Sequence, residues 1–279
     1  MGAYNRAGEK SKMSTAAVRT ENDLLSFFFQ RLSVAGERLL ILDYDGTVAP
    51  FSIDRRRALP YPTVPELLDC IMSTCRTRVV LVSGRSAAEI PGLLGIKPHP
   101  EIWGVHGLER LYPDGRQDLG YMSPREVKGL ERASAWIQQE GLRAQSELKS
   151  GAVAVHWRGL PMLAIEELRT KCYRTLAPVA CEHNLLLTEF DGGLELRVRS
   201  SSKEHAVRAL LAEVDIDAPV AYLGDDLTDE DAFRTLSDRG LTVLVRPVFR
   251  TTTAQMWLRP PEGLVQFLCD WIRACGGFV

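Results

Sequence analysis

The chain carries almost no net charge: 34 lysines and arginines stand against 36 aspartates and glutamates, a formal −2. No broad basic face for nucleic acid is implied. It lacks any apolar run near the ~20 residues that span a bilayer. The first twenty residues, MGAYNRAGEKSKMSTAAVRT, also lack the apolar core of a signal peptide. A soluble cytoplasmic protein without membrane contact is therefore expected, with residues 1–21 a mobile tail in which Met13 is an alternative start. The six cysteines (70, 75, 172, 181, 269 and 275) form no CxxC pair; no zinc site is expected, and a reduced compartment is the simpler reading. Internal repeats and low-complexity tracts are absent.

What is present is an ordinary globular composition, 45% hydrophobic and 25% charged over 279 residues, enough for one large domain or two smaller ones. LLSFFFQRL (24–32) reads as a short buried helix face. RLLILDYD (38–45) is a short apolar run of the kind found in buried parallel strands. VPELLDCIMSTC (64–75) has helical spacing, RVVLVSG (78–84) is a second strand, SAAEIPGLL (86–94) a helix capped by Ser86, and EIWGVHG (101–107) a third strand. This alternation argues for a parallel sheet with helices on both faces. After the YPDGR turn (112–116) the rhythm changes to a helix (124–142), two strands (143–148, 152–158), a helix (164–180) and two more strands (185–190, 194–199). That order predicts a small α+β unit, αββαββ, with an antiparallel sheet. Alternation then resumes with a helix at 203–214, a strand at 219–226, a helix at 228–236, a strand at 241–245 and a helix at 261–272. The expected layout is an α/β doubly wound, Rossmann-like core from 22–112 and 199–279, with a cap inserted at 113–198.

In such a sheet ligands bind beyond the carboxyl ends of the strands. Three polar clusters fall there: Asp43/Asp45, Ser83-Gly84-Arg85 and Gly224-Asp225-Asp226, with Lys203 opening the helix before the last. Crowded carboxylates repel one another unless a cation sits among them, and oxygen donors suit Mg²⁺. A carboxylate can attack phosphorus, a lysine and a hydroxyl can hold the other phosphoryl oxygens, and a second carboxylate can move the proton. Singly, each feature has a bland reading: Asp45-Gly46 a turn, Ser83 a cap, Lys203 a solvated helix residue, the acidic 228–231 run a helix start.

Taken together, DYDGT, SGR, the lysine and GDDLTDED resemble the haloacid dehalogenase (HAD) superfamily of aspartyl phosphatases. The resemblance implies Asp43 as nucleophile and Asp45 as acid/base, with Ser83 and Lys203 gripping the phosphoryl group. It also implies Mg²⁺ held by Asp43, the Asp45 carbonyl and Asp225, with Asp226 or Asp229 in support.

In the cap, Glu147 and Lys149 (SELKSG), His156 and Arg158 (VHWRG), and Glu195 and Arg197 (LELRV) lie two apart on strands, so each pair shares a face. Carboxylates with a lysine suit sugar hydroxyls, and the bland reading is a surface ion pair. These pairs, with GVHGLE (104–109), resemble the trehalose-6-phosphate phosphatases. By that resemblance Glu147, Lys149 and Glu195 bind the sugar. Gly84, Arg85, His106 and Arg158 are further candidates on the substrate side, and His156 reads as structural. The family's Arg-Pro and Trp-Asp before the lysine are replaced by RVRSSSK (197–203), near the expected cap hinge. FSIDRRRALPYP (51–62) reads as a solvated loop, although its three arginines could attract phosphate. The expectation is a Mg²⁺-dependent phosphatase acting on a small sugar phosphate, trehalose 6-phosphate first, as a monomer or weak homo-oligomer. The alternatives are a phosphatase or phosphomutase for a related glucosyl phosphate, or a non-catalytic sugar-phosphate binder.

Overall fold

A computed structural model describes residues 21–52, 54–190 and 192–277; the expected tail, Met13 included, lies outside them apart from Glu21. The first stretch contains α1 (Glu21–Val34), β1 (Arg38–Leu42), α2 (Val64–Thr74), β2 (Thr77–Val82), α3 (Ile90–Leu94), β3 (Glu101–Gly104), β4 (Glu109–Leu111) and β5 (Gln117–Leu119). Next come α4 (Pro124–Gln139), β6 (Ser146–Lys149), β7 (Ala152–His156), α5 (Met162–His183), β8 (Leu185–Phe190) and β9 (Gly193–Val198). The chain ends with α6 (Lys203–Ala212), β10 (Val220–Gly224), α7 (Glu230–Leu236), β11 (Leu241–Val245), β12 (Met256–Leu258) and α8 (Glu262–Ala274).

Eight strands form one sheet in the order β12-β11-β10-β1-β2-β3-β4-β5. From β12 to β3 all pairings are parallel; β4 and β5 add antiparallel. Strand order reverses between β1 and β10, which puts the switch point beside the ends of both. The apolar run of β1 follows from burial on both sides. Leu40 and Leu42 pack with Leu81, Leu223, Ile71 and Trp271 beneath α1, α2 and α8. Leu39 and Ile41 pack with Val80, Val207 and Phe233 beneath α6 and α7. In α1, Phe28 meets Trp271 at 5.7 Å between ring centroids and Phe29 meets Phe267 at 5.6 Å, whereas Phe27 is exposed; only part of the FFF run is buried.

The second sheet is antiparallel, β6-β7-β9-β8. Its apolar face (Val153, Val155, Leu194, Leu196) packs on Leu130, Ile137, Cys172 and Leu176 of α4 and α5. α4 starts on a Ser123–Glu126 capping box with Pro124 as its first residue. Register places Glu147 and Glu195 on either side of Ala154, and Lys149 and Arg197 on either side of Ala152. This charged face is the one turned to the core.

Several local expectations change. The third strand stops at Gly104 and does not run on to 107; Val105 and His106 turn left-handed at φ 47° and 54°. Ser86 does not cap its helix through its side chain. Its hydroxyl donates to Glu109 Oε2 at 2.9 Å, and that oxygen also takes the Ala87 N–H at 2.7 Å. Residues 143–145 are a 3₁₀ turn, and the helix expected from 228 begins as another, Leu227–Asp229. β12 was not foreseen, and β5, beyond residue 113, pairs with β4 in the large sheet.

Candidate active site

Asp43 and Asp225 follow β1 and β10 directly, and the Asp43 N–H donates to the Leu223 carbonyl at 2.8 Å. Lys203 opens α6, whose preceding Ser202 accepts the His205 N–H at 3.1 Å. Buried at 4% exposure, Lys203 donates to Asp43 Oδ1 and Asp229 Oδ1, each at 2.7 Å. Asp229 is fully used: Oδ1 also accepts the Tyr222 hydroxyl at 2.6 Å, and Oδ2 accepts the N–H groups of Asp225 and Asp226 at 3.1 and 3.0 Å. Asp43, Asp225 and Asp229 each offer an oxygen within 4.8 Å of the others. Gly46, at φ 91°, closes the space; a Cβ there would sit 2.3 Å from Asp225 Oδ2.

Burial pushes the Asp43 carboxyl up to about 7 against the pull of Lys203, with Asp229 and Asp45 adding to the rise. Asp225 is pushed well above the usual carboxylate range by burial, then by Asp43 and Asp229. Burial opposes the charge on Lys203, but Asp229 and Asp43 outweigh it and raise the ammonium's pKa. Both Asp225 oxygens are buried without a hydrogen-bond partner. An unsatisfied buried carboxylate is costly, and two free oxygens beside two further carboxylates form a donor set that fits a hard divalent cation. Asp226, although expected among the ligands, lies outside this cluster, and its place is taken by Asp229. The Asp45 carboxylate is also turned elsewhere: Arg85 Nε and Nη2 hold its two oxygens at 2.6 Å each.

Ser83, Gly84 and Arg85 follow β2, and the left-handed turn after β3 is bonded onto them: Val105 N–H to the Arg85 carbonyl at 2.7 Å, His106 N–H to the Ser83 carbonyl at 2.8 Å. Ser83 Oγ accepts the Arg85 N–H at 3.2 Å. The His106 ring lies over Gly84 so closely that a Cβ there would be 2.7 Å from Cε1. Ser201, in the altered loop before the lysine, donates its hydroxyl to the Val105 carbonyl.

The cap brings its charges to the same crevice. Lys149 Nζ reaches across β7 to Glu195 Oε1 at 2.9 Å, a path left open by the small Ala152 and Ala154. Glu195 Oε2 meets His106 Nε2 of the core at 3.2 Å. Burial disfavours the Glu195 carboxylate, but Lys149 and then His106 outweigh it and hold the group far below the usual range. Glu147 pairs with Arg55 of the core and lies 3.4 Å from His156 Nε2 and 3.6 Å from Lys149 Nζ. His156 is pushed down to about 4 by burial, then by Arg55 and Lys149. Arg158 packs its side chain over Gly192 between β8 and β9.

Sequence reasoning missed four contributors. Arg55 was counted with a solvated loop, which describes only its exposed neighbours Arg56 and Arg57. Thr47 Oγ1 and Arg197 Nη1 are buried without partners; Thr47 belongs to the DYDGT run and Arg197 to the Glu-x-Arg pair, so both were within sight. Tyr222, inside a strand, gave no signal.

The fold is that of haloacid dehalogenase-like hydrolases: a Bacillus subtilis member ("B. subtilis") superposes with a TM-score of 0.54 at 16% identity, over 83% of this chain and 98% of that one. Likewise, the C. albicans trehalose-6-phosphate phosphatase C-terminal domain superposes with a TM-score of 0.71 at 21% identity, over 91% and 97%. The model of the trehalose-phosphatase family matches residues 41–257, and the chain belongs to that family. It is 28% identical over 252 residues to trehalose-phosphate phosphatase of Mycobacterium tuberculosis, covering 84% of this chain and 61% of that relative. The chain thus spans about three fifths of the length of the curated relatives it first matches.

Proposed function

We propose that the protein is a Mg²⁺-dependent phosphatase that hydrolyses a sugar phosphate, trehalose 6-phosphate foremost, through an aspartyl-phosphate on Asp43. The observation that carries this reading is Asp225, whose two buried oxygens lack partners beside Asp43 and the buried ammonium of Lys203. Asp43, Asp225 and Asp229 would hold Mg²⁺, which when bound neutralises anionic phosphoryl oxygens and lowers the barrier to attack by another anion.

The chain's own groups supply the rest. Asp43, held by Lys203 and by its own N–H, presents an oxygen to phosphorus. Lys203 offsets the charge gathered on the phosphoryl oxygens. Asp45 delivers a proton to the leaving oxygen and later takes one from water; for that, one of its oxygens must leave the Arg85 fork. Glu147, Lys149 and Glu195 face the crevice from the cap, where hydroxyls of a sugar would replace their present partners. The names of the family and of the M. tuberculosis relative point to trehalose phosphate as the ester.

The test is phosphate release from a panel of sugar phosphates, with Mg²⁺ and with EDTA. Release is expected with Mg²⁺, highest for trehalose 6-phosphate, and Asp43→Asn should lower kcat by at least about 10³-fold. Equal rates for Asp43→Asn and wild type would remove Asp43 as nucleophile.

A further inference from the structure

We propose that Arg55 is the core's latch for the cap, a positioning residue that couples closure over the sugar to the setting of Asp45. The inference rests on the phosphatase reading and adds to it a residue that the strand-end motifs do not contain.

Three arginines stand together at 55–57, but their fates differ. The Arg56 side chain is 93% exposed, whereas that of Arg55 is 29% exposed and engaged at both ends. Its guanidinium pairs with Glu147 on the charged face of the cap sheet. Its carbonyl accepts a hydrogen bond from Arg85 Nη1 at 2.9 Å, while Nε and Nη2 of the same arginine hold both oxygens of Asp45. The link is rigid, because Asp54 caps the short turn by accepting the Arg56 N–H at 3.1 Å. Carbonyl and guanidinium of Arg55 therefore move with one turn of backbone.

Charge supplies the switch. The charge on Arg55 is disfavoured by burial and then by Arg85, the neighbouring guanidinium; Glu89, Asp45 and Glu195 oppose this. Facing it on the cap are Glu147, Lys149, His156 and Glu195. With the cap closed, Glu147 compensates Arg55 and the turn stays against Arg85. With the cap away, two guanidiniums face each other with fewer carboxylates between them. The turn then withdraws, and Arg85 loses the acceptor that fixes its third nitrogen. Closure thereby steadies the fork that holds Asp45, and an ester large enough to engage the cap gains from it. A small aryl phosphate, which does not reach Glu147, gains less.

The experiment is a double-mutant cycle on Arg55→Ala, Glu147→Ala and the pair. Both kcat and KM are measured for trehalose 6-phosphate and for p-nitrophenyl phosphate. Arg55→Ala should lower kcat/KM about tenfold for the sugar ester and less than about threefold for the aryl ester, with Arg55→Lys recovering part of the loss. In the Glu147→Ala background the further loss should fall below about twofold. Equal losses on both esters, no loss on either, or full additivity in the cycle would overturn the latch. A wild-type chain that releases no phosphate from any sugar ester would instead overturn the function. In that case the latch is decided by amide hydrogen exchange in Ser146–Lys149, faster in Arg55→Ala if it holds and unchanged if it does not.

Discussion

At the scale of single residues, the site stores instability. Asp225 is 1% exposed, and its oxygens have no protein partner. Burial and two neighbouring carboxylates raise its pKa well above the usual carboxylate range, and Asp43 stands at about 7. Such groups bind more protons folded than unfolded between pH 4 and 7, so without metal they lower stability as pH rises through that window. Asp225→Asn should therefore raise the melting temperature of EDTA-treated protein at pH 7.5, and by less at pH 5. About 2–4 °C is expected per kcal/mol relieved. Saturating Mg²⁺ should reverse the order, because wild type then gains binding energy that the variant lacks. A variant no more stable than wild type in EDTA would contradict this electrostatic account. Asp43, Asp45, Asp225 and Lys203 were legible as polar residues ending or following buried strands. Which of Asp226 and Asp229 joins the cluster was not, because both sit on one turn and only Tyr222 and Lys203, distant in sequence, select Asp229. Arg55 was hidden for a similar reason: a run of three arginines does not say which one has a partner.

At the scale of elements, the turn at Val105–Gly107 is what sequence periodicity could not give. EIWGVHG reads as strand to its end, and a β-branched residue at φ 47° is disfavoured locally. The turn is held by partners far along the chain, the Arg85 and Ser83 carbonyls and the Ser201 hydroxyl. Its product is a His106 ring set over Gly84 and against Glu195. Gly84→Ala should displace that ring, since the added carbon would lie 2.7 Å from it. A loss of about tenfold or more in kcat/KM for the sugar ester is expected, with the circular-dichroism spectrum unchanged. Wild-type kinetics in that variant would show that the close approach carries no function. β12 escaped notice because three residues are too short to show a period. The strands and helices that bury a full face were readable because their patterns are long.

At the scale of the whole molecule, the change from strand–helix alternation to paired strands foretold two sheets, and two sheets are what the chain forms. β5 was misjudged because a turn signal marks a reversal, and here the reversal adds a strand to the large sheet before the chain leaves it. Among the described residues no helix is long and apolar enough to cross a membrane. The return from the smaller sheet has its own consequence. β9 carries Glu195 and ends at Val198, and after a short link pinned by Ser201 the chain reaches Lys203. The strand that would feel the sugar and the ammonium that would feel the phosphate are thus consecutive points on one taut leash. A glycine inserted after Arg199 should slacken it: turnover of trehalose 6-phosphate should fall about tenfold or more while the melting temperature moves by only a few degrees. Unchanged turnover in that insertion variant would mean that the two sites keep their spacing without the leash.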